Sequence, residues 1–512
     1  MALAITNIAR LLRAGFTLAR HGALLPPEQT AQLPWIARAV LNICQIGSNQ
    51  SETGQGNRIS VALSALGPSY IKLGQFLATR PDVIGAKRAF ELKVLQDKLP
   101  SFAMATAKAI VAVELGKPVE ELFSSFSEPV AAASVAQVHK AVTHSGKTVA
   151  VKILRPNIER RFAADIDSFG FAARMMERLN AEGRRLRPVA AVSMLEQSMK
   201  LELDLRMEAA ALSEMTENTK DDAGFRLPKV EWALTSKRVL TTEWLDGTNM
   251  ADVEALRLSG LNLNAMADTI IQSFLRHAIR DGFFHADMHQ GNLMVDAKGN
   301  LVALDLGIMG RLAMKDRVFL AEILHGFITR NYLRVAEVHF DAGYVPGTQD
   351  VQNFAQALRA IGEPILDLPA DQISMAKLLT QLFEVTEQFD MQTQPQLLLL
   401  QKTMVVVEGV ARTLNPNLNM WVSAEPVVRG WIERYLGPIG KLEELGSSAK
   451  SLARLALRLP PLLDEAQKAS RLLSEMAKLK RPENTTWHRY QALALSVGAM
   501  ALVVIAAKLV WS

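Results

Sequence analysis

Residues Phe283 to Gly307, FFHADMHQGNLMVDAKGNLVALDLG, constrain this chain more than any other stretch. His285-Ala286-Asp287 is followed by Asn292, five positions past the aspartate, and then by Leu304-Asp305-Leu306-Gly307. Leu293-Met294-Val295 and Leu301-Val302-Ala303-Leu304 are β-type runs. Asp296-Ala297-Lys298-Gly299-Asn300 between them favours a turn, so a hairpin is predicted. A hairpin brings Asn292 and Asp305 to neighbouring strand ends. An amide oxygen and a carboxylate placed there suit Mg²⁺ held against nucleotide phosphates, and Asp287 is placed to orient an attacking group. Each piece alone is common. The ordered set of His, Asp, Asn, hairpin and second Asp-x-Gly is specific.

Composition removes several alternatives. At 512 residues, 49% hydrophobic and 21% charged, the chain can bury one large core or two. The single cysteine, Cys44, excludes a disulfide framework, a cysteine-based zinc site and an iron–sulfur cluster, and fits a reducing compartment. The net charge is +5 and the pI about 9.1. The basic residues form no stripe interleaved with aromatics, so nucleic acid is rejected as a partner.

Upstream, PVAAASVAQVHKAVTHSGKTVAVKILR (129–155) reads as two strands, Val135–Val142 and Thr148–Leu154, around a His144-Ser-Gly-Lys turn. Val149, Val151 and Ile153 should face one side, and Ala150, Lys152 and Leu154 the other. Val-Ala-Val-Lys152 is a strand pattern that puts a lysine on nucleotide phosphates. Ala131-Ala132-Ala133-Ser134, leading to Val135, occupies the place of a glycine-rich phosphate loop. Small side chains let backbone N–H groups approach phosphate, and alanine makes the loop stiffer than glycine would.

A helix is predicted from Ser193 to about Thr216, with Ser193 and Glu196 as a capping box. Asp204 and Glu208 share one of its faces, and Glu202 points elsewhere. One carboxylate of this helix is expected to pair with Lys152, with Glu208 the first choice. Arg238 to Gly247 is a strand ending in a polar break, where Glu243 and its neighbours would offer backbone groups to adenine. Residues 262–282 are a helix entering the catalytic loop, and 312 to about 440 is helical, with breaks near 344–347 and 362–370. The helix at 397–416 is expected to be core.

Near the N-terminus, GPSYIKLGQFLATRPDVI (67–84) predicts a helix on which Lys72 and Gln75 share a face. The helical pattern resumes over Phe90–Asp97. Residues 1–27 carry Arg10, Arg13, Arg20 and His21 but no acid, with Ile5, Ile8, Leu11, Leu12, Phe16 and Leu18 in a loosely amphipathic pattern. A surface or membrane-lying helix is favoured over a transit segment. Residues 447–480 read as a basic amphipathic connector for anionic headgroups. Ala492 to Ala507 has no charge, and a helix over Gln491–Trp511 would span roughly 30 Å, the hydrocarbon thickness. Trp487, Tyr490 and Trp511 suit its interfaces, and the preceding Lys478, Lys480, Arg481 and Arg489 put the main domain on the cytoplasmic side.

These residues together resemble the UbiB family of atypical kinases, linked to ubiquinone biosynthesis. The specific marks are Lys72-Leu-Gly74-Gln75, Ala131-Ala-Ala133-Ser134 and Glu202-Leu-Asp204, and the resemblance covers about residues 30–440. It implies an α+β, bilobal kinase-like fold with an N-terminal helical extension and a C-terminal transmembrane helix. It places Lys72 and Gln75 over the cleft near Glu202 and Asp204, blocking a protein substrate. ATP or ADP would be held by Ala131–Val135, Ala150, Lys152, Glu208 and Glu243. Mg²⁺ would be held by Asn292 and Asp305, with Asp287 catalytic. Members have also been named polyprenylphenol hydroxylases, but no dinucleotide fingerprint or metal-ligand cluster supports that chemistry. Met288 and Gln290 replace two family prolines, and Leu306 the usual phenylalanine.

The segments implied are 1–58 (amphipathic helical), 59–128 (helical extension), 129–248 (N-lobe), 249–440 (helical C-lobe), 441–490 (connector) and 491–511 (membrane span). The functional expectation is a membrane-anchored Mg-ATP-dependent kinase or ATPase supporting ubiquinone biosynthesis at the bacterial inner membrane. Its expected partners are membrane lipids, polyprenyl-phenol or quinone-pathway precursors and biosynthetic enzymes, with a homodimer left open. The alternatives are a non-catalytic nucleotide-binding scaffold and a small-molecule phosphotransferase. Lys72-Leu-Gly-Gln75 and the tail argue against the last.

Overall fold

A computed structural model describes residues 2–23, 55–78, 91–92, 99–179, 187–366, 385, 388–391 and 395–435. The chain divides into two compact units, Met1–Ile432 and Glu433–Ser512. The connector and membrane span predicted over 441–511, and most of the 90–97 helix, lie outside the described residues. Among the described residues, no helix is long and apolar enough to cross a membrane.

The N-lobe is an antiparallel sheet of β1 (Phe123–Ala132), β2 (Ala136–Thr143), β3 (Thr148–Leu154) and β5 (Val239–Glu243), in the order β1-β2-β3-β5. Strand alternation decides its two faces. Val149, Val151 and Ile153 are fully buried against Ala107, Ile110 and Val111 of the preceding helix, Met104–Leu115. Ala150 and Lys152 face the other way, into the cleft, as the alternation predicts. Strand β1 starts at Phe123, so the sheet begins inside the segment assigned to the extension.

The extension lies beside this lobe. We label its helices α1 (Ala2–Arg20), α2 (Gln55–Leu66) and α3 (Pro68–Ala78); α4 is Met104–Leu115 and α5 is Ile158–Leu179. Helix α1 docks on α5: Arg10 Nη1 donates to the Ala164 carbonyl (2.8 Å) and Ser168 Oγ to Asn7 Oδ1 (3.1 Å). Ile5, Ile8, Leu12 and Phe16 stay exposed on its outer side. Between α2 and α3, Gly67 has φ +102°, and Arg161 Nη2 donates to the Leu66 carbonyl at 2.7 Å. A Cβ on Gly67 would lie 2.2 Å from that guanidinium and displace it from the Leu66 carbonyl, but it is the positive φ that calls for glycine.

The helix predicted over 193–216 is two helices, α6 (Pro188–Glu202) and α7 (Leu205–Asn218). The break falls on the Glu202-Leu-Asp204 motif. Asp204 takes an extended backbone and accepts from Arg206 N (3.1 Å), making it the N-cap of α7. Ser193 therefore lies within α6 rather than capping a helix, and Asp204 does not share a helical face with Glu208. An aspartate competes well for a free N–H, and that local bond wins over helix continuation.

The second lobe opens with a small sheet in the order β4-β9-β8-β6: β4 (Phe225–Arg226), β6 (Gly247–Asn249), β8 (Leu293–Asp296) and β9 (Leu301–Ala303). The predicted hairpin is β8–β9. Helix α8 (Leu263–Leu275) leads through a wider π turn, Arg276–Asp281, into β7 (Phe283–His285), which pairs with β10 (Met309–Arg311). Helices α9 (Met314–Ile328), α10 (Tyr332–Asp341), α11 (Val351–Leu366), α12 (Pro395–Leu414) and α13 (Met420–Tyr435) follow. Helix α11 extends to Leu366, into the break predicted over 362–370, whose remaining residues lie outside the described ones. Helix α12 buries Leu400, Thr403, Val407, Val410, Ala411 and Leu414, consistent with the core position expected of it.

Candidate active site

The cleft between the lobes gathers side chains from distant parts of the chain. Lys152 Nζ donates to both carboxylate oxygens of Glu208 at 2.9 Å and to Asp305 Oδ2 at 2.7 Å. Strand β3 aims the lysine, and the first turns of α7 bring Glu208 across. The hairpin delivers Asp305, whose Oδ1 accepts from Gly307 N (2.9 Å).

Charge coupling fits this geometry. Burial works against the Lys152 ammonium, but Asp305 and Glu208 outweigh it and hold its pKa above the ordinary lysine value. Desolvation likewise works against the Asp305 charge, and Lys152 overrides it, keeping that carboxyl well below the usual range. Glu208 is pushed up to about 7 by burial and by the Asp305 charge, against the pull of Lys152. One ammonium shared by two carboxylates leaves negative charge in the cleft, which a cation can neutralise.

The loop geometry is equally local. Asn292 Nδ2 donates to the Asp287 carbonyl (3.1 Å), and the Asn292 carbonyl accepts from Leu304 N (2.9 Å). Cross-strand pairing of Leu293 with Ala303 thus sets Asn292 beside Leu304-Asp305. His285 is buried; its Nδ1 accepts from Asp287 N (3.2 Å), and burial lowers its pKa to about 4, so the ring stays neutral. Asp287 Oδ2 lies 3.7 Å from His289 Nε2 and is a third exposed, so it can meet a ligand.

The loop Ala131–Val135 closes β1 onto β2. Ser134 is fully buried, and its hydroxyl finds no partner among the described residues, a donor left over for a ligand. Glu243 ends β5, but its backbone N–H donates to the Lys229 carbonyl (2.7 Å) and its side chain holds Arg226 (2.6 Å). Its backbone donor is therefore occupied within the chain. Chain crossing between the lobes occurs just beyond it, before β6.

Lys72 is buried and ion-paired with Glu202, and the Glu202 charge is felt at Glu208. Gln75 lies on the same helix, α3, half-buried. Asp204 turns to Arg206 instead, which holds its carboxyl below the ordinary value.

Contacts that sequence reasoning missed brace the cleft. Thr403 Oγ1 of α12 donates to the Ala286 carbonyl inside the loop that carries Asp287 (2.9 Å), and Gln290 Nε2 to Thr413 Oγ1 (3.2 Å). Arg311 makes a two-pronged pair with Glu214 of α7 (2.8 and 2.6 Å), and Arg280 bridges Asp222 and Asp281. No local motif marks any of these.

The donor set fits a magnesium–nucleotide complex. Mg²⁺ bound to phosphates takes only one or two protein oxygens, and Asp305 with Asn292 can supply them.

Comparison with known proteins agrees with the fold. Residues 94–339 match the ABC1 atypical kinase-like domain, and residues 358–419 match the UbiB helical domain. Proteins named "Probable protein kinase UbiB" are similar along most of the chain. The one from Marinobacter nauticus is 39% identical over 81% of this chain and 77% of its own. That from Shewanella baltica is 36% identical over 90% and 86%, and that from Pseudomonas aeruginosa 36% over 97% and 93%. A solved Mycobacterium tuberculosis protein in complex with erythromycin is 23% identical, with a TM-score of 0.47, over 79% of this chain and 98% of that one. The mixed α+β fold is kinase-like, a class that implies nucleotide binding, and the chain belongs to the UbiB family of atypical kinase-like proteins.

Proposed function

We propose that this protein is a Mg-ATP-dependent atypical kinase or ATPase that acts at a membrane in support of ubiquinone biosynthesis. The observation that carries the reading is the shared ammonium of Lys152, held by Glu208 and Asp305, with Asn292 brought alongside by the hairpin. Lys152 binds phosphate oxygens, Glu208 orients it, and Asp287 positions the attacking hydroxyl or water. Asp305 and Asn292 would hold a magnesium ion, which would supply charge neutralisation at the phosphates. The backbone of Ala131–Val135 covers the phosphates.

The buried Lys72–Glu202 pair beside the cleft supports a substrate smaller than a protein segment, such as a polyprenyl-phenol precursor. A membrane setting is supported by the exposed apolar side of α1, whose only charges are basic, and by the apolar C-terminal sequence. That combination favours the bacterial inner membrane, with the kinase-like domain in the cytoplasm.

Purified full-length protein should hydrolyse ATP with Mg²⁺, faster with anionic vesicles or a phenol-like precursor. Undiminished hydrolysis after Asp305→Asn would overturn the site. In cells, Asp287→Asn or Lys72→Ala should accumulate early quinone precursors. The closed Lys72–Glu202 pair also suits a second reading, a nucleotide-binding scaffold. Thermal stabilisation by ATP without phosphate release would favour it.

A further inference from the structure

We infer that Arg155 is a positioning residue that clamps the alanine-rich loop in place over the nucleotide phosphates, an inference that rests on the nucleotide site proposed above. The loop tip is Ala133–Val135, between β1 and β2. Its turn is closed by Ala133 N donating to the Ala136 carbonyl (2.8 Å). Arg155, immediately after β3, then takes hold of it three times. Its backbone N–H donates to the Val135 carbonyl (2.9 Å), and its Nε and Nη2 both donate to the Ala133 carbonyl, at 3.1 and 2.8 Å.

The same guanidinium reaches the other way. Nη2 donates to the Pro100 carbonyl (2.9 Å) and faces the Leu99 carbonyl (3.3 Å). The guanidinium lies 5.9 Å from the centre of the Phe102 ring. Phe102 is itself pinned to β2: its N–H donates to Gln137 Oε1 (2.8 Å), and its carbonyl accepts from Gln137 Nε2 (3.3 Å). Arg238 Nη2 holds the Arg155 carbonyl (3.1 Å). The result is a closed circuit from loop to Arg155, to residues 99–102, to β2 and back to the loop.

A phosphate-covering loop made of glycine keeps wide backbone freedom, which nucleotide binding must restrict. Here alanine already narrows the backbone's freedom, and the clamp removes most of the remainder before binding. Only a planar fork with several donors can bridge the loop carbonyl and the two linker carbonyls together; a lysine ammonium is a single point. Releasing the tip returns conformational freedom that binding must then remove, an effect on the order of tenfold or more in affinity.

The test uses the full-length protein with Arg155→Gln and Arg155→Lys. Amide hydrogen exchange is followed without nucleotide, together with the Kd for Mg-ADP and the KM and kcat for ATP. In Arg155→Gln the Ala133 amide should exchange about tenfold faster while β3 and β5 stay protected. Kd and KM should rise about tenfold with kcat changed less than about twofold, and Arg155→Lys should fall between wild type and Arg155→Gln. Unchanged exchange at Ala133 overturns the clamp. So does a loosened loop with unchanged Kd and KM, or a loss of protection spread over the whole sheet. Should Arg155→Gln fail to fold, Arg155→Lys decides on the same exchange measurement. A wild-type protein that binds no nucleotide refutes the nucleotide site itself, whereas the exchange result still judges the clamp.

Discussion

Lys152 and Asp305 stand 153 residues apart in the chain and 2.7 Å apart in the cleft, and the same ammonium is held by Glu208. Two rigid devices make this meeting: the alternation of β3, which aims Lys152 away from the core, and the β8–β9 hairpin, which places Asp305.

The Lys72–Glu202 pair is buried, so removing one partner leaves a charge with poor solvation. Lys72→Met and Glu202→Gln are each expected to cost about 1–3 kcal/mol of stability by denaturant unfolding. The double variant should cost less than the sum, with a coupling of about 1–3 kcal/mol. Simple additivity would show that the pair does not hold α3 to α6.

Thr403 is fully buried, and its hydroxyl shares its one proton between the Leu399 carbonyl of its own helix (2.8 Å) and the carbonyl of Ala286 (2.9 Å), between His285 and Asp287. Thr403→Val keeps the shape but leaves that carbonyl without this donor, at a cost of about 1–3 kcal/mol. ATP turnover should fall with it, because the loop carrying Asp287 loses a brace. Wild-type stability and turnover in Thr403→Val would show that α12 merely packs nearby.

His285 gives a pH dependence with a definite sign. Burial lowers its folded-state pKa to about 4, below the unfolded value near 6.5. The unfolded chain therefore takes up a proton first as pH falls. The contribution is intact above about 6.5 and is lost progressively as pH drops towards 4, on the order of 3 kcal/mol in full. His277 and His339 shift the same way for the same reason, so the loss is shared. Urea unfolding at about pH 7 and about pH 5 should show lower stability at the acidic pH, with a weaker dependence in His285→Gln. Equal pH dependence in the two proteins would remove His285 from this account.

What was legible in the sequence was mostly local. Turn chemistry and strand alternation identified the β8–β9 hairpin, the direction of Lys152 and the run of helices after residue 312. Glu208 was legible because a lysine aimed into a cleft needs a carboxylate, and the following helix offered few. The same reasoning missed the break at Leu203–Asp204, where one side-chain bond to Arg206 N outcompetes helical periodicity. It gave no sign that the Glu243 N–H bonds to the Lys229 carbonyl, a pairing set by tertiary approach. Thr403, Arg155 and the Glu214–Arg311 pair were invisible because each depends on segments that meet only in the folded chain.

The most direct measurement is titration of the full-length protein with Mg-ADP, comparing wild type with Lys152→Met and Asp305→Asn. The account predicts binding in the wild type that requires Mg²⁺ and is weakened at least about tenfold by either substitution, since each removes a charged contact worth at least about 1.4 kcal/mol. Equal, Mg²⁺-independent affinity in all three proteins would contradict it.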